Sequence, residues 1–194
     1  FAAVRPPGHH ALADRVMGFC LVNNAVFAAR RFQALGRRRV LIVDWDVHHG
    51  NGTQALVEHD AEVRFVSLHQ SPWWPFTGAA SERGVGNVFN VPLPGGLEPE
   101  QYVRELWLAV EAATNDWTPD AVVVSVATAN GAADALDAVV ADLLKLPPEM
   151  TKYLVPSAGT YNCRRIAGTV QSPTCSPRTA RSAGSACCAT ASRN

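Results

Sequence analysis

Residues 37–53 read Arg37-Arg38-Arg39-Val40-Leu41-Ile42-Val43-Asp44-Trp45-Asp46-Val47-His48-His49-Gly50-Asn51-Gly52-Thr53. The apolar run Val40–Val43 has the length and β-branched content of a buried strand. Two carboxylates and two imidazoles follow directly at its carboxyl end. In open α/β sheets that is where ligands bind. Asp and His suit zinc and similar divalent ions. Asp46 and His48 are two apart, so an extended chain points both to one side. Gly50 and Gly52 free the backbone to turn. Strand-end Asp and His also serve as caps and loop anchors, so a second polar cluster is needed to favour a metal site.

That cluster is Arg5-Pro6-Pro7-Gly8-His9-His10-Ala11, followed by Met17-Gly18-Phe19-Cys20-Leu21-Val22-Asn23-Asn24. Adjacent histidines on a stiff Pro-Pro-Gly loop can act as a paired general base and acid, because histidine titrates near neutral pH. Each needs a partner on its far nitrogen to fix its tautomer. Asp44 and Asn51 are available.

These motifs, with Val66-Ser67-Leu68-His69-Gln70 after them, resemble in order and spacing the histone deacetylase family, in its class II-like and bacterial amidohydrolase branch. Asn51 is similar to that branch, where others carry Asp. The register is good over residues 1–125 and degraded over 126–171. The resemblance implies an arginase/deacetylase-like α/β fold, a parallel sheet with helices on both faces, here truncated at the N-terminus. It implies that Asp46 and His48 are zinc ligands and that His9 and His10 are the catalytic pair. Asp44 and Asn51 then become the partners of that pair. Asp44, Asp46, His48, Ser67 and Leu68 match the holders of a structural potassium ion. Gly18, Phe19 and Trp74 match the acyl-lysine tunnel. Tyr161, in Gly159-Thr160-Tyr161-Asn162, matches the tyrosine that stabilises the oxyanion. The implied reaction is hydrolysis of the acetyl amide of acetyl-lysine, or of another acylated amine such as an acetylpolyamine. Zinc would polarise the carbonyl and activate water, and histidine would move the protons.

One motif departs from the pattern. Where the family reads Ala-Gly-Phe-Asp after the strand ending at Ser125, this chain reads Val126-Ala127-Thr128-Ala129-Asn130-Gly131. The aspartate that would be the third zinc ligand is replaced. Asp134 and Asp137 lie downstream, out of register. Catalytic zinc usually takes three protein ligands plus water, so an inactive fragment with the deacetylase fold is the alternative.

With 194 residues, 47% hydrophobic content and a formal net charge of +0, the composition is that of one globular domain. No basic stripe points to nucleic acid. There is no transmembrane run and no signal peptide, so a cytoplasmic protein acting on a small or peptide substrate is expected. Oligomeric state is not readable. The neutral total hides a split: all 17 acidic residues precede Pro156, whereas five of the 17 basic residues follow it. Residues 172–194 are rich in Ser, Thr, Ala, Arg and Cys without periodicity. They read either as a disordered tail or as the product of a shifted reading frame. Cys187-Cys188, with no nearby His, does not resemble a zinc module.

The remaining pattern alternates helix and strand. Helices are expected over 19–35, from Thr53 to Glu58, over 98–117 and over 132–146. Strands are expected at 40–43, 63–68, 121–126 and 153–155, with residues 71–96 as a long rim loop. His49 should face away from His48. His59 and His69 read as surface or loop histidines. Trp73 and Phe76 either line the rim or pack.

Overall fold

The computed structural model describes residues 7–126 and the backbone of 157–158. The chain divides into two units, Phe1–Tyr161 and Asn162–Asn194, and every described residue belongs to the first. The expected helix over 132–146, the strand at 153–155, Tyr161, Asp134, Asp137 and the tail lie outside the described residues.

The elements run α1 (Asn24–Ala34), β1 (Val40–Asp44), α2 (Asn51–Val57), β2 (Val63–Gln70), β3 (Val88–Leu93), α3 (Pro99–Thr114), β4 (Ala121–Val126) and β5 (Ser157–Ala158). The strands form one sheet in the order β3-β2-β1-β4-β5, with every pairing parallel. Strands joined by helical crossovers must run parallel and bury both faces. β1 does so along its whole length, at the centre of the sheet.

The period of two along a strand sorts β1 into two cores. Leu41, Val43 and Trp45 face α3, where they meet Val66, Leu68, Leu106, Val110, Val122 and Val124. Val40 and Ile42 face α1 and α2, with Val26, Ala29, Phe32, Val57, Phe65 and Val123. The same alternation carries Asp44 to the α1/α2 side. In the β1–β2 register Asp44 stands beside Ser67.

The helices begin where local chemistry permits. α1 starts at Asn24, not at 19, because Asn23 caps it: its side chain accepts from the Val26 N–H at 3.1 Å. Its buried stripe is Ala25, Val26, Ala29 and Phe32, and Leu21 is exposed outside it. α3 opens with Pro99 in the first turn, and the Gln101 side chain accepts from the Glu98 N–H at 3.3 Å. The expected rim loop contains a strand. In β3, Phe89, Val91 and Leu93 pack on the α3 core, whereas Val88 packs on the other. Pro92 removes a donor, which is tolerated because β3 is the edge strand of the described sheet.

α2 sets the height of the N-terminal loop. The Thr53 N–H donates to the His9 carbonyl at 3.0 Å, and Asn23 Nδ2 donates to Thr53 Oγ1 at 3.1 Å. A Cβ on Gly52 would stand 2.4 Å from the Ala11 carbonyl oxygen and 2.5 Å from the His10 carbonyl carbon. Both obstacles are backbone, so nothing flexible can yield. Gly52→Ala must therefore lift the histidine loop or unwind the start of α2. The expected loss is about 3 kcal/mol in urea unfolding, against about 1 kcal/mol for Gly36→Ala, where a Cβ meets nothing within 4 Å and only the φ of +85° opposes a side chain.

Asp60, after α2, closes a second surface. It pairs with Arg30 of α1, accepts from the Glu62 N–H at 3.0 Å and from Gln33 at 3.3 Å. Partial burial raises its pKa, but these donors outweigh it and hold the carboxyl below its ordinary value. A carboxylate lowered by folding stabilises above its unfolded pKa, and that stabilisation disappears as pH falls through the lower folded value. Relative to Asp60→Asn, the protein should melt a few degrees higher at neutral pH, about 1 kcal/mol for so exposed a pair. The two melting curves should merge as pH drops below about 3.8. A gap that persists in acid would show that the carboxylate charge is not its origin.

Candidate active site

Asp44 and Asp46 are both fully buried at the end of β1. A buried carboxylate is costly unless hydrogen bonds and opposite charge meet it. The local fold supplies these. Asp44 Oδ1 accepts from the Asp46 N–H at 3.0 Å, and its Oδ2 accepts from His9 Nδ1 at 2.9 Å. Asp46 Oδ1 accepts from the His48 N–H at 2.8 Å and stands 3.0 Å from His48 Nδ1. His9 Nε2 lies 3.8 Å from the same oxygen. Gly50 closes over the pair: a Cβ there would lie 2.8 Å from Asp44 Oδ2.

His10 is held by Asn51, whose Oδ1 accepts from His10 Nδ1 at 2.8 Å. The Asn51 amide orientation is fixed at its other end, where Nδ2 donates to Met17 Sδ at 3.3 Å. The Nδ1 proton is thereby assigned, and Nε2 of neutral His10 is left as the acceptor. The two rings stand 3.9 Å apart between centroids. Their surroundings push them in opposite directions. Burial disfavours the His9 cation, but Asp44, by charge and by hydrogen bond, and Asp46 outweigh it and raise its pKa. Burial, followed by the neighbouring His9, pushes His10 down to about 4, against a smaller opposing effect of Asn51. One ring holds a proton readily and the other is a neutral base.

Trp74 walls this pair, edge-on to His10 at 4.6 Å and to His48 at 5.8 Å between centroids. Gly18 fits beneath: with φ +56°, its Cβ would stand 2.3 Å from His10 Cδ2 and 2.8 Å from the Trp74 ring. Only glycine satisfies both demands. Phe19 behaves differently. It has φ +60° and is 93% exposed, and among the described residues no ring contact joins it to Trp74. Trp73 and Phe76 are also exposed. On the α3 side a cavity of about 380 Å³ is lined by Asp46, His69, Gln70, Gly95 and Tyr102. The Tyr102 hydroxyl donates to the Trp45 carbonyl at 3.1 Å, and burial, with Asp44 and Asp46 nearby, raises its pKa.

The donor set can be tested against zinc. Protein ligands at ~2.0–2.1 Å from a tetrahedral ion stand about 3.3 Å from each other, close to the 3.0 Å between Asp46 Oδ1 and His48 Nδ1. These two donors fit half of a catalytic site. Among the described residues no third His, Cys, Asp or Glu completes a group of three. Ser67 and Leu68 lie on β2 beside Asp44, with the Ser67 hydroxyl 3.1 Å from His69 Nδ1.

His69 is not a surface histidine. It is buried on β2, and its Nε2 donates to the Gly78 carbonyl at 3.0 Å. His59 is exposed, as its surroundings imply. His49 turns away from His48 into a buried network with Thr77, Gln54 and, through Gln54, Glu82 and Asn90. Burial, followed by neighbouring His69, pushes its pKa down to about 4. The available signal was Asn90, a polar residue at an inward position of an alternating strand.

Comparison with known proteins agrees with this geometry. A model of the histone deacetylase domain matches residues 1–175. Histone deacetylase 15 of Arabidopsis thaliana is 47% identical over 133 residues, covering 64% of this chain and 24% of that protein. A probable deacetylase of Archaeoglobus fulgidus is 37% identical over 140 residues, covering 70% of this chain and 39% of the relative. Among solved structures, the HD domain of HDA15 superposes with a TM-score of 0.73 at 39% identity, over 86% of this chain and 52% of that one. An acetylpolyamine aminohydrolase from Burkholderia pseudomallei gives 0.68 at 30% identity, over 80% and 49%. The chain thus spans less than half the length of these two curated relatives. No helix among the described residues is long and apolar enough to cross a membrane. The match over residues 1–175, with a shared fold, places this chain in the histone deacetylase family.

Proposed function

We propose that this chain carries the proton-transfer half of an amidohydrolase site that removes acetyl groups from acetyl-lysine or another acylated amine. The carrying observation is the unequal histidine pair: His9 on a buried carboxylate, His10 on an amide, 3.9 Å apart between ring centroids. Zinc, held by Asp46 and His48, would supply Lewis-acid polarisation of the acyl carbonyl. Neutral His10, with Nε2 free to accept, takes the proton of the attacking water. His9, whose cation the Asp44 carboxylate favours, would stabilise the negative charge that develops and help to return a proton to the leaving amine. Trp74 and Gly18 form one side of a slot for the acyl-lysine methylene chain, and Trp74 shields the rings from water. Phe19 at the rim would complete the slot when a substrate is present. Tyr161 is assigned the oxyanion. Asp44, Asp46, His48, Ser67 and Leu68 are assigned a structural potassium ion. The partial catalytic domain is assigned to residues 1–171 and a separate tail to 172–194.

A second reading has its own observation. The family aspartate after β4 is replaced in Val126-Ala127-Thr128-Ala129-Asn130-Gly131. Without a substitute donor the chain would be a catalytically inactive member. Zinc content of the purified protein separates the two readings. Stoichiometric zinc that disappears in Asp46→Ala is expected for the enzyme, together with a 10²- to 10⁴-fold loss of acetyl-lysine hydrolysis in His10→Ala. Absence of zinc from the wild type would leave the inactive reading standing.

A further inference from the structure

The loop joining β2 to β3 carries Trp74, and its conformation depends on a hydrogen-bond ring beneath the active site. Donors and acceptors in that ring can be assigned in full. Gln54 Nε2 faces the Glu82 carboxylate at 2.7 Å, which only accepts, so Gln54 Oε1 faces His49. His49 Nε2 therefore donates to Gln54 Oε1 at 2.9 Å, and His49 Nδ1 must accept. Its partner is the Thr77 hydroxyl at 2.8 Å, which donates. Glu82 closes the ring by accepting from the Gly78 N–H at 3.2 Å and the Ala79 N–H at 3.0 Å. Asn90 Nδ2 adds a second donor to Gln54 Oε1 at 2.8 Å.

Gly78 is clamped between two imidazoles. Its carbonyl accepts from His69 Nε2 at 3.0 Å, and with φ +87° its Cβ would stand 2.6 Å from both the His49 and His69 rings. The rings themselves lie 4.7 Å apart between centroids. His49 directly follows His48. The ring thus ties the turn bearing a zinc donor to the loop bearing the aromatic wall. Trp74 sits three residues before Thr77, in a turn closed by Phe76 N–H donating to the Trp73 carbonyl at 2.8 Å.

We propose that Thr77 and His49 are positioning residues: the Thr77 hydroxyl on His49 Nδ1 sets how far Trp74 stands from His10 and His48, and so sets the width of the substrate slot. This rests on Trp74 being a wall of that slot. Thr77 touches no reacting group. Thr77 is exposed, so removal of its hydroxyl is tolerated by the fold, while the bond it makes reaches the buried His49 ring.

The test uses the full chain labelled with 5-fluorotryptophan, with the Trp74 fluorine resonance assigned through Trp74→Phe. Thr77→Val is expected to move or broaden that resonance while those of Trp107 and Trp117, on the α3 side, keep their positions. Thr77→Ser, which restores the hydroxyl, is expected to return the wild-type spectrum. A Trp74 resonance unmoved in Thr77→Val overturns the proposal, as does a shift of all tryptophans together. In the hydrolysis of an acetyl-lysine peptide, Thr77→Val should raise KM on the order of fivefold, the effect of one hydrogen bond, with kcat little changed. A wild type without hydrolytic activity would sink the proposed function, and the fluorine spectra would still decide whether Thr77 positions Trp74.

Discussion

Two carboxylates with no solvent exposure at the end of the central strand are the constraint on which this site depends. A charge so placed is unfavourable by several kcal/mol unless donors surround it. The surroundings of Asp44 and Asp46 follow from that requirement. The chain turns so that successive N–H groups, those of Asp46 and His48, point back at the carboxylates two residues earlier. The turn brings Gly50 against Asp44, where no side chain fits. α2 then starts where Gly52 can pass beneath the backbone of residues 10 and 11, and the Thr53 N–H holds the His9 carbonyl. The loop bearing the histidines is thus fastened by α2, and His9 is delivered to Asp44 by the same contacts that solve the burial of Asp44.

This coupling explains which features the sequence made legible. Val40–Val43 could be recognised as a strand because a run of branched apolar residues ends abruptly in charge, and its position in the sheet follows from the parallel crossovers on either side. His9, His10, Asp44, Asp46, His48 and Asn51 are close in only two short segments, so motif and spacing suffice to group them. Contacts made across many residues were harder to read. β3 was hidden by Asn90 and Pro92, both unusual in a strand. Asn90 is there to reach Gln54, 36 residues earlier, and Pro92 is allowed by the sheet edge. His69 looked like a loop residue because its reason for burial, the Gly78 carbonyl, depends on a loop conformation with positive φ that pattern reading does not supply. Leu21 continues the apolar rhythm of α1 toward the N-terminus, whereas the Asn23 cap decides where the helix begins.

The pair of histidines shows how a single substitution of acceptor type sets chemical role. Both rings are buried, and burial alone would lower both pKa values. His9 escapes because its partner is a carboxylate, and His10 does not because its partner is an amide. An aspartate at position 51 would give each ring a negative partner and bring the two closer to equivalence. With Asn51, the asymmetry is built into the resting site: the two rings differ in how readily they take a proton before any substrate arrives. A proton on His9 would also limit the net charge buried at the strand end, since one cation would face two carboxylates. A divalent ion between Asp46 and His48 would reverse this balance and weaken the hold on the His9 proton. In the proposed reaction, proton transfer and metal binding would therefore be coupled through Asp46, which faces both the His9 and the His48 ring.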